Sequence, residues 1–334
     1  LACAVRAALP VITPSELGIS TQQVTMQQLM QQVEAVLPEH MSESCANPAC
    51  NCVHGRCDDI TGTCICEPGY TGETCNNTVL YFRQMVTHGV APEPRAYGAY
   101  GLYDNSFVVA GGLVQYEDIY TRQMDFYVLD IPKLTWQKFA LTEDHLNGRS
   151  DAAYFMFEDK LYIFGGFDVL NKYRNDMAYV SIGDGVWKHI GYVNCSTSVP
   201  PPTPRSRATA TVVGTKVLFW SGVFQDEHNS VMFYQDFHVF DVVGQNWMEM
   251  NVSGGLAPTA RAGHSSTLIG KFLYIFGGGT MNNQYLNDIH AFSLETSKWV
   301  RLAVEGFPPS ARVMHQATAY KNKILIFGGD DQGM

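Results

Sequence analysis

Along most of the chain the apolar residues fall into short unbroken runs that end in glycine. The runs are SFVVAGG, LYIFGG, VLFWSG, LYIFGGG and ILIFGG, and the second residue of each closing doublet is Gly112, Gly166, Gly222, Gly278 and Gly329. A short continuous apolar run bounded by glycine predicts a strand covered on both faces rather than one facing water on alternate residues. The glycines allow the backbone to turn and to approach a neighbour closely. A different pattern precedes these runs. In STQQVTMQQLMQQVEAVL, residues 20–37, Met26, Leu29, Met30, Val33 and Leu37 share one face at helical spacing. This predicts a helix capped by Ser20 or Thr21 and stopped by Pro38. Its polar face holds glutamine and no lysine or arginine, so it is not a membrane-surface helix.

The apolar runs recur with other residues at constant offsets. Seventeen residues before each closing glycine stands an arginine: Arg95, Arg149, Arg205, Arg261 and Arg312. After the first four runs come Trp136, Trp187, Trp247 and Trp299, each preceded by eleven residues by Asp125, Asp176, Asp236 and Asp288. The glycine spacings are 54, 56, 56 and 51 residues. A period near this length, with apolar runs ending in Gly-Gly, resembles the kelch repeat, in which each unit is a four-stranded blade of a β-propeller. The resemblance covers residues 79–334 and implies that stability comes from blades stacked on one another. The arginines and aspartates are expected to tie blades together as charge-assisted hydrogen bonds. Blade three departs from the pattern, with Ser221 in place of the first glycine. Residues 81–95 align with 247–261, Tyr81 taking the tryptophan position, so 79–86 is expected to be a closing strand. Repeats then start at 95, 149, 205, 261 and 312, the last incomplete. A ring of six blades is expected, with its C-terminal part outside this chain.

Seven of the nine cysteines lie between residues 45 and 75. Cys64-Ile-Cys66 is followed by Gly69, Tyr70, Gly72 and Cys75, and CVHGRC precedes it. This spacing resembles the EGF-like family over residues 44–76. The resemblance implies the pairs Cys45–Cys57, Cys52–Cys64 and Cys66–Cys75, with Cys50 able to exchange roles with Cys45. Zinc ligation fits less well, because suitably placed histidines are lacking. The approach MSES lacks the acidic motif of calcium-binding members, so no calcium site is expected. Residues 1–43 form a separate N-terminal segment. An odd cysteine count leaves Cys3, Cys50 and Cys195 outside the implied pairs, and at least one must be free or bonded between chains.

Composition narrows the function. A formal net charge of −10 argues against nucleic acid or an anionic membrane as the main partner. No apolar run is long enough to span a bilayer. Clustered cysteines and the sequons at Asn76, Asn194 and Asn251 point to an oxidising, extracellular setting with N-linked glycans. No nucleophile elbow, phosphate loop or zinc-hydrolase motif occurs. His264 and His315 stand three residues after a repeat arginine, and His238 and His290 nine before a tryptophan, so the repeat accounts for all four. Galactose oxidase-like copper enzymes share the kelch propeller but need a cysteine cross-linked to a tyrosine. Cys195, the one propeller cysteine, lies in the proline-rich GYVNCSTSVPPPTPR. No enzyme activity, cofactor or metal is therefore expected. EGF-like modules beside kelch propellers resemble the attractin family, which implies a secreted or cell-surface adhesion or interaction scaffold with protein partners, other copies of itself included. A filament subunit, a carbohydrate-binding module and, last, a galactose oxidase-like copper enzyme are the alternatives. The long loops are 113–124, 188–204 and 223–235; those at 113–124 and 223–235 follow glycine doublets and are expected to gather on one rim, with Tyr116, Tyr120, Phe224, Asn282 and Tyr285 as contacts.

Overall fold

The computed structural model describes residues 51–58, 61–67, 69–78, 85–140, 146–191, 199–248, 250, 252–300 and 302–331. The chain divides into Leu1–His40 and Met41–Met334, and all described residues belong to the second unit. The expected helix 20–37 and Cys3, Cys45, Cys50, Cys195, Asn194 and Asn251 lie outside the described residues.

The repeats are β-propeller blades. Blade I is a meander of Ala99–Tyr103, Ser106–Tyr116, Ile119–Asp130 and Thr135–Phe139. Blade II comprises Ala153–Phe157, Lys160–Phe164, Met177–Ser181 and Trp187–Ile190. Blade III comprises Thr209–Val213, Lys216–Trp220, Phe237–Asp241 and Asn246–Met248, and blade IV Ser265–Ile269, Phe272–Phe276, Ile289–Ser293 and Lys298–Val300. Blade V shows two strands, Gln316–Tyr320 and Lys323–Phe327. Of the expected closing strand 79–86, only Met85 and Val86 are described, and both are exposed and outside any strand. A sixth blade is not among the described residues.

The apolar runs are the second strands, and in blades I to IV each is hydrogen-bonded on both edges. Their alternating side chains enter two different cores, which is why the runs read as continuously apolar. Leu161 and Ile163 pack with Val108, Ala110, Phe126 and Val128 of blade I. Tyr162 and Phe164, one residue out of phase, pack with Val217, Phe219 and Phe240 of blade III. Leu218 and Trp220 then meet Leu273, Ile275 and Phe292 of blade IV. The hydrophobic core is thus a series of layers between blades. The repeat tryptophans reach backwards across these layers. Trp187 Nε1 donates to Met124 O of blade I at 3.1 Å, Trp247 lies 5.1 Å from Phe164, and Trp299 lies 5.0 Å from Trp220. Trp136 is half-buried, beside Phe107 of its own blade.

The arginines act differently from the expectation. Each side chain binds within its own blade: Arg95 to Asp125, Arg149 to Asp176, Arg205 to Asp236 and Arg261 to Asp288, at 2.6 to 2.8 Å. Nη1 of each also donates to the carbonyl of the first residue of its blade's doublet, as Arg261 does to Gly277 O at 2.9 Å. The bond between blades is made by the arginine backbone instead. Gly166 N donates to Arg205 O, Gly222 N to Arg261 O and Gly278 N to Arg312 O, at 2.8 to 3.1 Å. This explains the doublet. A Cβ on Gly165, whose φ is +67°, would sit 2.5 Å from Arg205 O. Ser221 keeps the same left-handed backbone and directs Oγ to Arg261 O at 2.6 Å.

Residues Thr203, Thr259 and Ser310, two before an arginine, complete the clamp. Thr259 accepts from Arg261 Nε through its carbonyl and from Nη2 through its hydroxyl, and Thr203 serves Arg205 in the same way. Burial alone would raise the Asp236 and Asp288 carboxyls. Arg205 with His238, and His290 with Arg261, outweigh it and hold both below the usual carboxylate range.

Before the propeller, Gly55–Cys57 pairs antiparallel with Cys64–Cys66, and Tyr70–Thr71 with Asn77–Thr78. Disulfides join Cys52 to Cys64 and Cys66 to Cys75. Cys57 is disulfide-bonded as well, and Cys45, its expected partner, lies outside the described residues. Among the described residues no helix is long and apolar enough to cross a membrane.

Candidate functional site

Two residues after each repeat arginine stand Tyr97, Asp151, Arg207, Gly263 and Met314, and all five have φ between +55° and +66°. Their backbones form a girdle from blade to blade. Asp151 N donates to Tyr97 O, Arg207 N to Asp151 O, Gly263 N to Arg207 O and Met314 N to Gly263 O, at 2.7 to 3.1 Å. The girdle divides two spaces. On one side a channel of about 480 Å³ is lined by the first strands of the five blades. On the other a mouth of about 500 Å³ opens among the segments that follow the glycine doublets.

The channel wall is polar and hydrogen-bonded across blades, although Nδ1 of His264 and of His315 is buried without a partner. His264 Nε2 and Thr209 Oγ1 share a hydrogen bond of 3.0 Å, and His315 Nε2 and Ser265 Oγ one of 2.8 Å. Burial first, then the neighbouring Arg261 cation and the proximity of His315, pushes His264 down to about 3. Burial and Arg312 push His315 down to about 4. Both rings are therefore neutral at physiological pH, and they join blades rather than meet a ligand. Among the described residues no group of histidine, cysteine and acidic side chains is placed to hold a metal ion.

The rim of the mouth is built from rigid turns. Asp168 N donates to Lys172 O, Asp226 N to Ser230 O and Thr280 N to Gln284 O, each at 3.0 Å. Asn171, Asn229 and Asn283 sit at the left-handed corner of these turns, a conformation asparagine tolerates. Asp168 and Asp226 each accept two backbone N–H groups through Oδ1. The turn tips present apolar side chains to solvent: Leu170 and Met281 are each 62% exposed, and Met232 is exposed beside them in blade III. In blade I the expected loop 113–124 is instead a continuation of two paired strands, because Leu113–Tyr116 finds partners in Ile119–Arg122. Ile119 and Tyr120 are exposed at its end. Residues 223–235 form a short hairpin, Val223–Gln225 with Val231–Phe233. Of 188–204, residues 192–198 lie outside the description.

Inside the rim lie two guanidinium groups. Arg122 extends from blade I over the Phe167 ring of blade II, 4.4 Å from its centroid. Its Nε donates to Ser150 Oγ at 3.2 Å, and its Nη1 to Asn171 Oδ1 at 3.3 Å. Ser150 Oγ in turn donates to Asp151 Oδ2 at 2.7 Å, and Arg207 Nε donates to Asp151 Oδ1 at 2.9 Å. One carboxylate thus orients both cations, one directly and one through a hydroxyl. Burial alone would lower the Arg207 pKa; Asp151 and the Tyr97 and Tyr173 phenols outweigh it and raise it. Tyr173 packs between Phe167 at 4.9 Å and Phe224 at 5.3 Å.

The five expected contact residues do not form one cluster. Tyr285 lines the mouth, its hydroxyl donating to Asp330 Oδ2 at 2.7 Å. Phe224 stands behind Tyr173, and Asn282 is exposed on a turn tip. Tyr116 and Tyr120 belong to a separate groove on blade I with Leu113 and Gln115, where the Tyr116 hydroxyl donates to Glu93. Arg122, Asp151, Tyr173 and Arg207 were missed. Asp151 and Arg207 had a signal, since the position two after each arginine varies where its neighbours repeat.

Comparison with known proteins places these features in context. The family described as the KLHDC2/KLHL20/DRC7 Kelch-repeats domain matches residues 70–222 and 102–329. Kelch domain-containing protein 1 of Mus musculus is 27% identical over 258 residues, covering 70% of this chain and 62% of the relative. Its Homo sapiens counterpart is 26% identical over 254 residues, with the same coverage. Kelch domain-containing protein 3 of Rattus norvegicus is 34% identical over 146 residues, covering 40% of this chain and 37% of the relative. The chain thus spans less than two thirds of the length of these relatives. The family match begins at residue 70 and leaves most of the cysteine-rich segment outside it.

Proposed function

The chain belongs to the kelch-repeat family, and from that premise we propose that it is a non-enzymatic interaction scaffold that docks a protein partner on the mouth face of its propeller. The observation that carries this reading is the rim itself: Ile119, Leu170, Met232 and Met281, on four successive blades, are exposed in the segments that follow the glycine doublets, and residues of those segments line a polar recess. Large apolar groups exposed together on an ordered backbone mark a partner surface. The recess supplies aromatic and arginine side chains, the residue types that dominate interface energetics.

The proposal extends to the setting. The disulfides Cys52–Cys64 and Cys66–Cys75 have the spacing of an EGF-like module, and the sequon residue Asn76 is exposed. These support an extracellular or cell-surface glycoprotein of attractin-like organisation, working in adhesion, with the cysteine-rich segment as a stapled spacer. The test uses cross-linking mass spectrometry of the chain in extract from its own source. Leu170→Asp with Met281→Asp should remove the cross-linked partners. Val243→Asp, in the exposed turn that joins the outer strands of blade III, should leave them in place. Retention of the same partners by the Leu170/Met281 variant would refute the docking face. Reduced cysteines or an unmodified Asn76 in native material would refute the extracellular setting.

A further inference from the structure

Resting on that reading of the mouth face, we propose that the mouth binds a phosphorylated side chain of the partner, with the phosphate seated between Arg122 and Arg207. Three features of the recess carry this. First, the charge is inverted locally: the chain carries −10, yet the mouth is lined by two guanidinium groups and a single carboxylate, Asp151. Second, the carboxylate does not use up the cations. It holds Arg207 through Nε and Arg122 through Ser150, so that both Nη groups of Arg207 and Nη2 of Arg122 have no protein partner among the described residues. In the repeat clamps Nη1 and Nη2 of Arg261 are fully engaged, so the free Nη groups in the mouth are a departure within the same molecule. Third, both side chains are pre-oriented. Arg122 lies over the Phe167 ring, and Arg207 is held by Asp151.

The stoichiometry of donors selects the ligand. A carboxylate has two oxygens and one charge, and a single guanidinium fork satisfies it. A phosphate monoester brings about −1.5 to −2 charge and three acceptor oxygens, which matches the free Nη pair of Arg207 together with Nη2 of Arg122. The cavity of about 500 Å³ has room for such a side chain, with Tyr173, Phe167 and Tyr285 as walls. Asp151, Arg207, Gly263 and Met314 of the girdle line the inner end of this cavity, where it borders the channel.

The probe is a degenerate peptide pool with a fixed central phosphoserine, compared with the same pool carrying serine or glutamate there. Binding to the full chain is read by fluorescence anisotropy at about 50 mM and about 300 mM salt. The phosphorylated pool is expected to bind about tenfold or more tighter than the serine pool and clearly tighter than the glutamate pool. Arg122→Gln and Arg207→Gln should each remove about tenfold of that preference. Arg207→Lys, which keeps the charge but loses the fork, should lose most of it while the melting temperature shows the blades intact. Arg56→Gln, in the exposed part of the cysteine-rich segment, should change nothing. Equal binding of the serine pool, equal binding of the glutamate pool, or indifference to all three arginine variants would each overturn the proposal. If cross-linked partners still depend on Leu170 and Met281 while no phosphate preference exists, this inference fails and the docking face stands.

Discussion

Asp288→Ala should destabilise blade IV more than its half-exposed position suggests. The side chain of Asp288 is 41% exposed, but its partner Arg261 is fully buried. Every N–H of that guanidinium is used: Nε on Thr259 O, Nη1 on Gly277 O and Asp288 Oδ1, Nη2 on Thr259 Oγ1 and Asp288 Oδ2. Removing the carboxylate leaves a buried cation without its counter-charge, which costs about 3–5 kcal/mol when the site is dry. Water can reach the vacated position from the exposed side, so the lower end, about 3 kcal/mol, is expected. For a propeller of this size that is a drop in melting temperature of about 6–12 °C, read by circular dichroism. Arg261→Met is the informative counterpart. Asp288 then retains solvent and His290, at 2.7 Å, and the main loss is the three acceptors left at Gly277 O, Thr259 O and Thr259 Oγ1. The double variant Arg261→Met/Asp288→Ala strands no charge. It should be no less stable than Asp288→Ala alone, giving a coupling energy of about 2 kcal/mol or more. A cost below about 1 kcal/mol for Asp288→Ala, or strict additivity in the double variant, would show a surface-like pair and refute this account of the clamp.

Acid should loosen the joint between blades III and IV before it touches the carboxylates. His264 is neutral in the folded state and depressed to about 3, so its contribution is fully present above about pH 6.5 and is lost as pH falls towards 3. The loss is about 2 kcal/mol by pH 5, and His264→Gln should flatten that part of the stability curve; an unchanged slope would disprove it. Asp236 and Asp288, held low, contribute above the usual carboxylate range and lose that contribution only below about pH 4. Gly165→Ala should cost at least about 2 kcal/mol more than Gly270→Ala. Both glycines are left-handed, but a Cβ at 165 meets Arg205 O at 2.5 Å and one at 270 meets nothing within 4 Å. Equal melting temperatures would dismiss the close approach as the reason for the doublet. Reducing Cys52–Cys64 and Cys66–Cys75 should raise hydrogen exchange in 51–78 and leave the second strands of the blades protected, since the blades contain none of these cysteines.

The fold was largely legible because its determinants are local and repeated. A strand whose two faces enter two cores must be apolar at every position, so KLYIF and KVLFW announced second strands of a propeller without reference to their neighbours. The same periodicity exposed Arg205, Asp236 and Trp247 as structural. It misassigned the reach of the arginines, because offset along a chain does not say whether a partner lies in the same blade or the next. The long hairpin at 113–124 was read as a loop for a related reason: polar residues such as Gln115, Thr121 and Arg122 obscure a pairing that only the register reveals.

The candidate site was far less legible. Tyr285 was visible as an aromatic after a glycine doublet, whereas Arg122, Asp151, Tyr173 and Arg207 were not. They come from three blades and from positions the repeat leaves free to vary; Asp151 and Arg207 share the register two after a repeat arginine, but nothing along the chain links that register to Arg122 or Tyr173. Sequence alone determined the repeated unit, its strands, its glycine doublets and its clamp residues, since each depends on contacts within one period of the chain. Tertiary structure alone decided the girdle, the division of channel from mouth and the meeting of two arginines over one carboxylate, because those follow from how successive blades are rotated onto one another.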